Sequence, residues 1–239
     1  MIYFYDGTTE SFLTAFLAAY ADENALLTSV NAQLVLGQQT LFVQPNAEKA
    51  EKCRRRLLSF DPDCMKDLDL LLRSGEPQKD MIAFRYFKLI AREKAPVRKM
   101  LSEDDVIAAV ECIRRVTYEV HRFHGFLRFM ESASGALYAP FSPDHDICDL
   151  LLPHFRARLP KFSFVIHDVK RKKAAVYDGE HSFTAPLQKA EILLSADEQD
   201  WRALWKNYYE SVNIPSRERL KQMRGYMPVR YWKFLSEFN

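Results

Sequence analysis

The sequence predicts an α+β fold: an antiparallel sheet carrying helices, with a helix-rich N-terminal half and a helical C-terminal tail. Three observations predict it. Apolar residues recur at helical spacing almost without a break from Pro62 to Val120. Short β-prone runs separated by turn residues follow between Gly125 and Thr184. Helical spacing then returns from Asp197 to Phe238.

Taken in order, Ile2–Tyr5 is a short aromatic strand, turned by Asp6-Gly7. Thr8 or Thr9 caps a helix whose apolar residues are Phe12, Ala15, Phe16 and Ala19. Leu41–Val43 is a second strand, and Asn46 caps a helix from Ala47 to Ser59. Met65, Leu68, Leu71 and Leu72 mark the next helix, stopped near Gly75 and Pro77. Another carries Met81, Phe84, Phe87, Leu89 and Ile90 and stops near Pro96. Ser102-Glu103-Asp104-Asp105 places acids in the first turn of a helix running to about Arg122, where they suit its dipole. Phe126–Met130 alternates as a strand, and Ser134-Gly135 turns it into Ala136–Ala139. Pro143-Asp144 opens a helix through Leu159, ended by Pro160. Phe162–Ile166 and Ala174–Tyr177 are strands, and Asp178-Gly179 returns the chain through Ser182–Thr184. Helices over Asp197–Val212, Ser216–Arg224 and Pro228–Phe238 close the chain. We divide it into an N-terminal strand–helix region, 1–80, and a C-terminal α+β domain, 81–239.

The 239 residues are 48% hydrophobic and 28% charged, which suits a buried core and excludes a disordered chain. The start, MIYFYDGTTESF, lacks the basic opening and apolar core of a secretion signal. The longest nearly apolar run, Phe12–Ala21, is too short to span a bilayer. Cys53, Cys64, Cys112 and Cys148 are scattered and read as reduced thiols, so the expected compartment is the cytoplasm, with no membrane partner. Net charge is +2, but its distribution alternates: residues 1–50 and 101–150 are acidic, while 51–100 and 201–239 are basic. That pattern fits ordinary solvated charge, or one basic face assembled from separated segments.

All six histidines fall between His121 and His181. His121, His145 and His154 are the candidates for acid–base catalysis. His124, His167 and nearby carboxylates such as Glu119 could join them around a metal if they converge. No spacing certifies a metal site, and histidines also serve as core hydrogen-bonding groups. Glycine-rich phosphate loops and a GxSxG elbow are absent. The candidate phosphate contacts are Lys170, Arg171, Lys172 and Lys173 in one turn, and Arg217, Arg219, Lys221, Arg224, Arg230 and Lys233 in the tail. Tyr226, Tyr231 and Trp232 interleave with the tail cations, where aromatic planes stack on bases or dock the tail on the core. Arg128 and Arg158, with His145, are expected to line a central pocket.

The ordered segments FRYFKLIAR, EVHRFHGFLRFME, LYAPFSPDHDICDLLLPHFRARLP, FSFVIHD, VYDG and LWKNYYESVNIPSRERLKQMRGYMPVRYW carry a resemblance. Their series, from about Met81 to Phe238, resembles a bacterial domain of unknown function described as a probable DNA-metabolism protein. The gene of that family tends to sit beside a putative DNA modification or repair radical S-adenosylmethionine protein. A similar domain occurs fused to a uracil-DNA glycosylase-like domain. The resemblance implies importance for Arg122, Gly125, Phe126, Arg128 and Phe129, for His145 and Asp146, and for His154, Phe155 and Arg158. It implies the same for Arg219, Met227, Pro228, Tyr231 and Trp232. Phe234-Leu235-Ser236-Glu237 stands where related sequences show a Leu-Pro-Glu turn.

No reaction and no cofactor follow from the resemblance. The expected function is a DNA-binding or DNA-processing accessory role beside the radical enzyme, with DNA and that enzyme as partners. One alternative is a histidine- or metal-dependent enzyme acting on a damaged base or a phosphodiester. The other is a protein-interaction module that makes no DNA contact.

Overall fold

The computed structural model describes residues 1–29, 39–214, 216 and 219–236. Helices and strands are mixed, so the class is α+β, but the sheets are not antiparallel as the sequence suggested. One is wholly parallel and the other is of mixed sense. The chain forms two compact units, 1–117 and 118–239.

In the first unit, β1 (Ile2–Phe4) lies between β2 (Leu26–Thr28) and β3 (Thr40–Phe42), parallel to both. Parallel neighbours require a crossover, and α1 (Thr9–Ala19) supplies the one between β1 and β2. Thr8 caps α1 by accepting from the Ser11 N–H, and Asn46 caps α2 (Ala47–Phe60) by accepting from the Lys49 N–H. Then come α3 (Cys64–Arg73), α4 (Lys79–Glu93) and α5 (Asp104–Phe126), the last running into the second unit. The apolar faces form a core in which Phe12, Phe16, Phe84 and Phe87 meet largely edge to face. Two buried carboxylates hold it. Asp80 accepts from the Tyr5 hydroxyl at 2.6 Å and from the Ser29 amide and hydroxyl. Asp67 accepts from the Tyr86 hydroxyl at 3.0 Å and pairs with Arg98 at 2.7 Å.

In the second unit the strand order is β4 (Met130–Glu131), β5 (Leu137–Phe141), β6 (Phe164–Asp168), β7 (Lys173–Tyr177), β8 (Ser182–Pro186). β5 and β6 are parallel, and the other neighbours are antiparallel. A helix lies between β5 and β6 in sequence, and that arrangement permits parallel pairing where a tight turn would not. That helix, α6 (Leu152–Arg158), is shorter than expected: Pro143–Cys148 is irregular and Asp149–Leu151 is a 3-10 turn. The expected strand at Phe126–Met130 shrinks to Met130–Glu131, because α5 continues through Gly125 to Phe126. Gly135 sits at φ +78° in the β4–β5 turn, where a side chain would be strained. The chain ends with α7 (Glu198–Val212), α8 (Leu220–Tyr226) and a 3-10 helix, Val229–Phe234. Among the described residues no helix is long and apolar enough to cross a membrane.

Candidate nucleic-acid interface

The last two turns of α5 organise the second unit. Helical spacing puts Glu119 on the same buried face as Val116 and Phe123. A carboxylate there is tolerable only if its oxygens are met by donors. The backbone amides of Asp144 and His145 donate to it at 3.0 and 2.8 Å, and the Tyr231 hydroxyl donates at 2.7 Å. The Arg230 guanidinium lies 3.8 Å away and also pairs with Asp144. One turn on, Arg122 lies 4.4 Å over the Tyr118 ring and donates to the Gly225 carbonyl at 3.0 Å. The tail is therefore seated by its polar groups as much as by Leu235 and the buried ring of Tyr231, which rests 4.6 Å from Phe123.

The other face of α5 carries histidines. His124 stacks on His154 of α6, with ring centroids 4.1 Å apart and planes within 10°, and His121 meets His124 edge to face at 6.5 Å. The Nε2 atoms of His124 and His154 are buried with no hydrogen-bond partner. Burial, then the neighbouring rings of His154 and His121, lowers the His124 pKa below the usual imidazole value. Of the three expected catalytic histidines, His121 and His154 thus share a cluster whose centre is His124. His145 is buried and tied by its backbone to Glu119. His167 is structural. Its Nε2 faces the Leu187 carbonyl at 3.0 Å and must carry the proton, so Nδ1 accepts from Tyr138 at 2.6 Å. Among the described residues no group of three or more His, Cys, Asp or Glu is arranged to hold a metal ion.

His124 opens onto a cleft of about 760 Å³ within this unit. Arg128 and Phe129 follow α5 into its wall, α6 adds Arg158, α7 adds Trp201, Trp205 and Lys206, and the tail adds Lys233 and Phe234. Trp201 and Trp205 are four residues apart and so share one face of α7. That helix is fixed by Glu198, which accepts from the Glu131 amide at 2.9 Å and pairs with Arg202 at 2.9 Å. Glu198 is the only acid among the described residues lining the cleft, so cations dominate it. Arg128 lies 5.3 Å over the Trp205 ring and also donates to the Gly125 carbonyl at 2.8 Å.

The expected phosphate contacts divide by what holds them. Arg128, Arg158 and Lys233 line the cleft, whereas His145 does not. Lys170 and Lys172 are exposed in the β6–β7 turn. Arg171 in that turn pairs with Asp168 at 2.9 Å and donates to the carbonyls of Pro143 and Asp144. Lys173 pairs with Asp146 at 3.1 Å and lies 3.6 Å from Asp149. Arg230 is engaged by Asp144 and Glu119. Arg219, Lys221 and Arg224 are exposed around α8, and Arg217 lies outside the described residues. Sequence reasoning passed over Trp201, Trp205 and Lys206, although a helix whose stripe is Trp and Tyr beside Arg and Lys was the available signal.

The second unit is thus an α+β module with a mixed sheet and a cationic, aromatic-walled cleft. Residues 77–237 match the family described as a domain of unknown function (DUF4130), and the chain belongs to that family. No curated protein matches the chain, and no solved structure does.

Proposed function

We propose that the protein binds DNA through the cleft of its second unit, as a cytoplasmic accessory factor in a bacterial repair or modification pathway. The observation that carries this reading is the union of cations and aromatic planes in one cleft: Arg128, Arg158, Lys206 and Lys233 beside Trp201, Trp205 and Phe234. Cations meet phosphates and aromatic faces meet bases, and a nucleic acid offers both at close spacing. The pathway, and a radical S-adenosylmethionine enzyme as partner, rest on the company that resembling genes keep. Gel-shift titration at two salt concentrations tests the reading. Binding that weakens as salt rises supports it, and no binding to single- or double-stranded DNA at low salt sinks it.

A second reading makes the protein an enzyme acting on a base or phosphodiester held in the cleft. The stacked His124–His154 pair favours it, because His124 lines the cleft and the buried Nε2 atoms of the pair have no hydrogen-bond partner. Loss of turnover of a bound DNA in His124→Gln, with affinity retained, would separate this reading from simple binding.

A further inference from the structure

The aromatic residues of the cleft are not equivalent. Trp205 is flanked by the Arg128 guanidinium at 5.3 Å and by Tyr208, whose ring centroid is 5.6 Å away. Trp201 lines the same cleft with 62% of its surface exposed, and its indole makes no ring contact or hydrogen bond among the described residues. An indole left in water forgoes the burial that normally places tryptophan in cores. Arg158 and Lys206 are likewise exposed in the cleft, with no hydrogen bond or ion pair from their side chains among the described residues.

We propose that the cleft receives an unpaired strand of DNA, one base stacking on Trp201 while Arg158, Lys206 and Lys233 face its phosphates. This rests on the DNA reading above and deepens it. In a duplex the bases stack on one another about 3.4 Å apart and show only their edges in the grooves, so an aromatic plane finds no free face. An unpaired base offers that face, and every base has one, so Trp201 is indifferent to sequence. Charge disfavours two other occupants of an exposed aromatic face. An apolar peptide or a second copy of this surface would bury Arg158 and Lys206 with no counter-charge, whereas a phosphate backbone supplies it. The cleft volume, about 760 Å³, lies in the range that encloses small organic ligands and suits a nucleotide or two rather than a double helix.

Fluorescence anisotropy at low salt with three probes of equal length tests the proposal: oligothymidylate, a duplex, and an abasic deoxyribose-phosphate strand. The full chain should bind oligothymidylate tightest. Trp201→Ala should weaken that binding at least about fivefold, the lower end for loss of one base–aromatic stack, and leave the abasic strand unchanged. Trp201→Phe should retain most of the affinity, and circular dichroism of both variants checks that they fold. Equal binding of duplex and single strand, or an unaltered Trp201→Ala, overturns the inference while leaving DNA binding intact. No binding of any probe by the unaltered chain defeats both. A dimer in sedimentation that Trp201→Ala dissociates, with oligothymidylate binding unchanged, assigns the face to a second copy and also overturns it.

Discussion

The Tyr231 hydroxyl donates a 2.7 Å hydrogen bond to the Glu119 carboxylate across 112 residues of sequence, and both groups are buried. Tyr5 with Asp80 and Tyr86 with Asp67 repeat the arrangement in the first unit. In each pair a phenol with an apolar body carries its one polar atom to a carboxylate that water cannot reach. Tyr231→Phe should therefore cost about 1.5–3 kcal/mol, the range for hydrogen bonds to charged groups. In a double-mutant cycle by urea unfolding, Tyr231→Phe and Glu119→Gln should couple by about 1–2 kcal/mol. Additive effects would show that the tail is held by packing alone.

Alkaline pH should unfold the protein through the same pairs. Burial, then the adjacent carboxylate, raises the pKa of Tyr5, Tyr86 and Tyr231 above the ordinary 10.0. A phenol that holds its proton more tightly when folded stabilises less as pH rises past the unfolded value, because the unfolded chain then ionises first. Melting temperature should fall above about pH 10. The fall should be shallower in Tyr231→Phe, and an identical slope in the variant would contradict the assignment.

Acid should act through the stacked imidazoles. The lowered pKa of His124 means the unfolded chain binds its proton more readily, so this residue subtracts stability as pH drops below about 6.5 and contributes nothing well above it. His124→Gln cannot take that proton. Between pH 7.5 and 5.5 its melting temperature should decline less than that of the unaltered chain.

Cleft cations and structural cations should separate by salt dependence. Arg158→Ala should reduce the slope of log affinity for single-stranded DNA against log salt by about 0.7, the value for one phosphate contact. Lys173→Ala breaks pairs with Asp146 and Asp149, so it should lower the melting temperature and leave the slope alone. The reverse outcome would move the interface to the β6–β7 turn.

The thiols should be inert. All four are buried, and burial pushes Cys53 up to about 11 and both Cys64 and Cys148 up to about 12. Iodoacetamide at pH 8 should label none of them in the folded protein and all four in denaturant.

What the sequence determined was local. The caps at Thr8 and Asn46, the turn at Gly135 and the periodicity of α1 to α5 involve groups a few residues apart, whose geometry one stretch of chain dictates. Even the length of α5 was misjudged, since Gly125 signalled an end that packing around Phe123 and Phe126 overrode. Strand sense was misjudged: an antiparallel sheet was expected, whereas β5 and β6 pair in parallel across an intervening helix, and nothing in either strand says which neighbour it joins. The candidate site belonged to tertiary structure almost entirely. Arg171, Lys173 and Arg230 read like free cations until the fold set Asp168, Asp146 and Asp144 beside them. Trp201 carried no signal of its own until the fold placed it in a cleft with Arg158 and Lys233. Desolvation and charge pairing depend on what lies within a few ångströms in space, and only the folded chain fixes that.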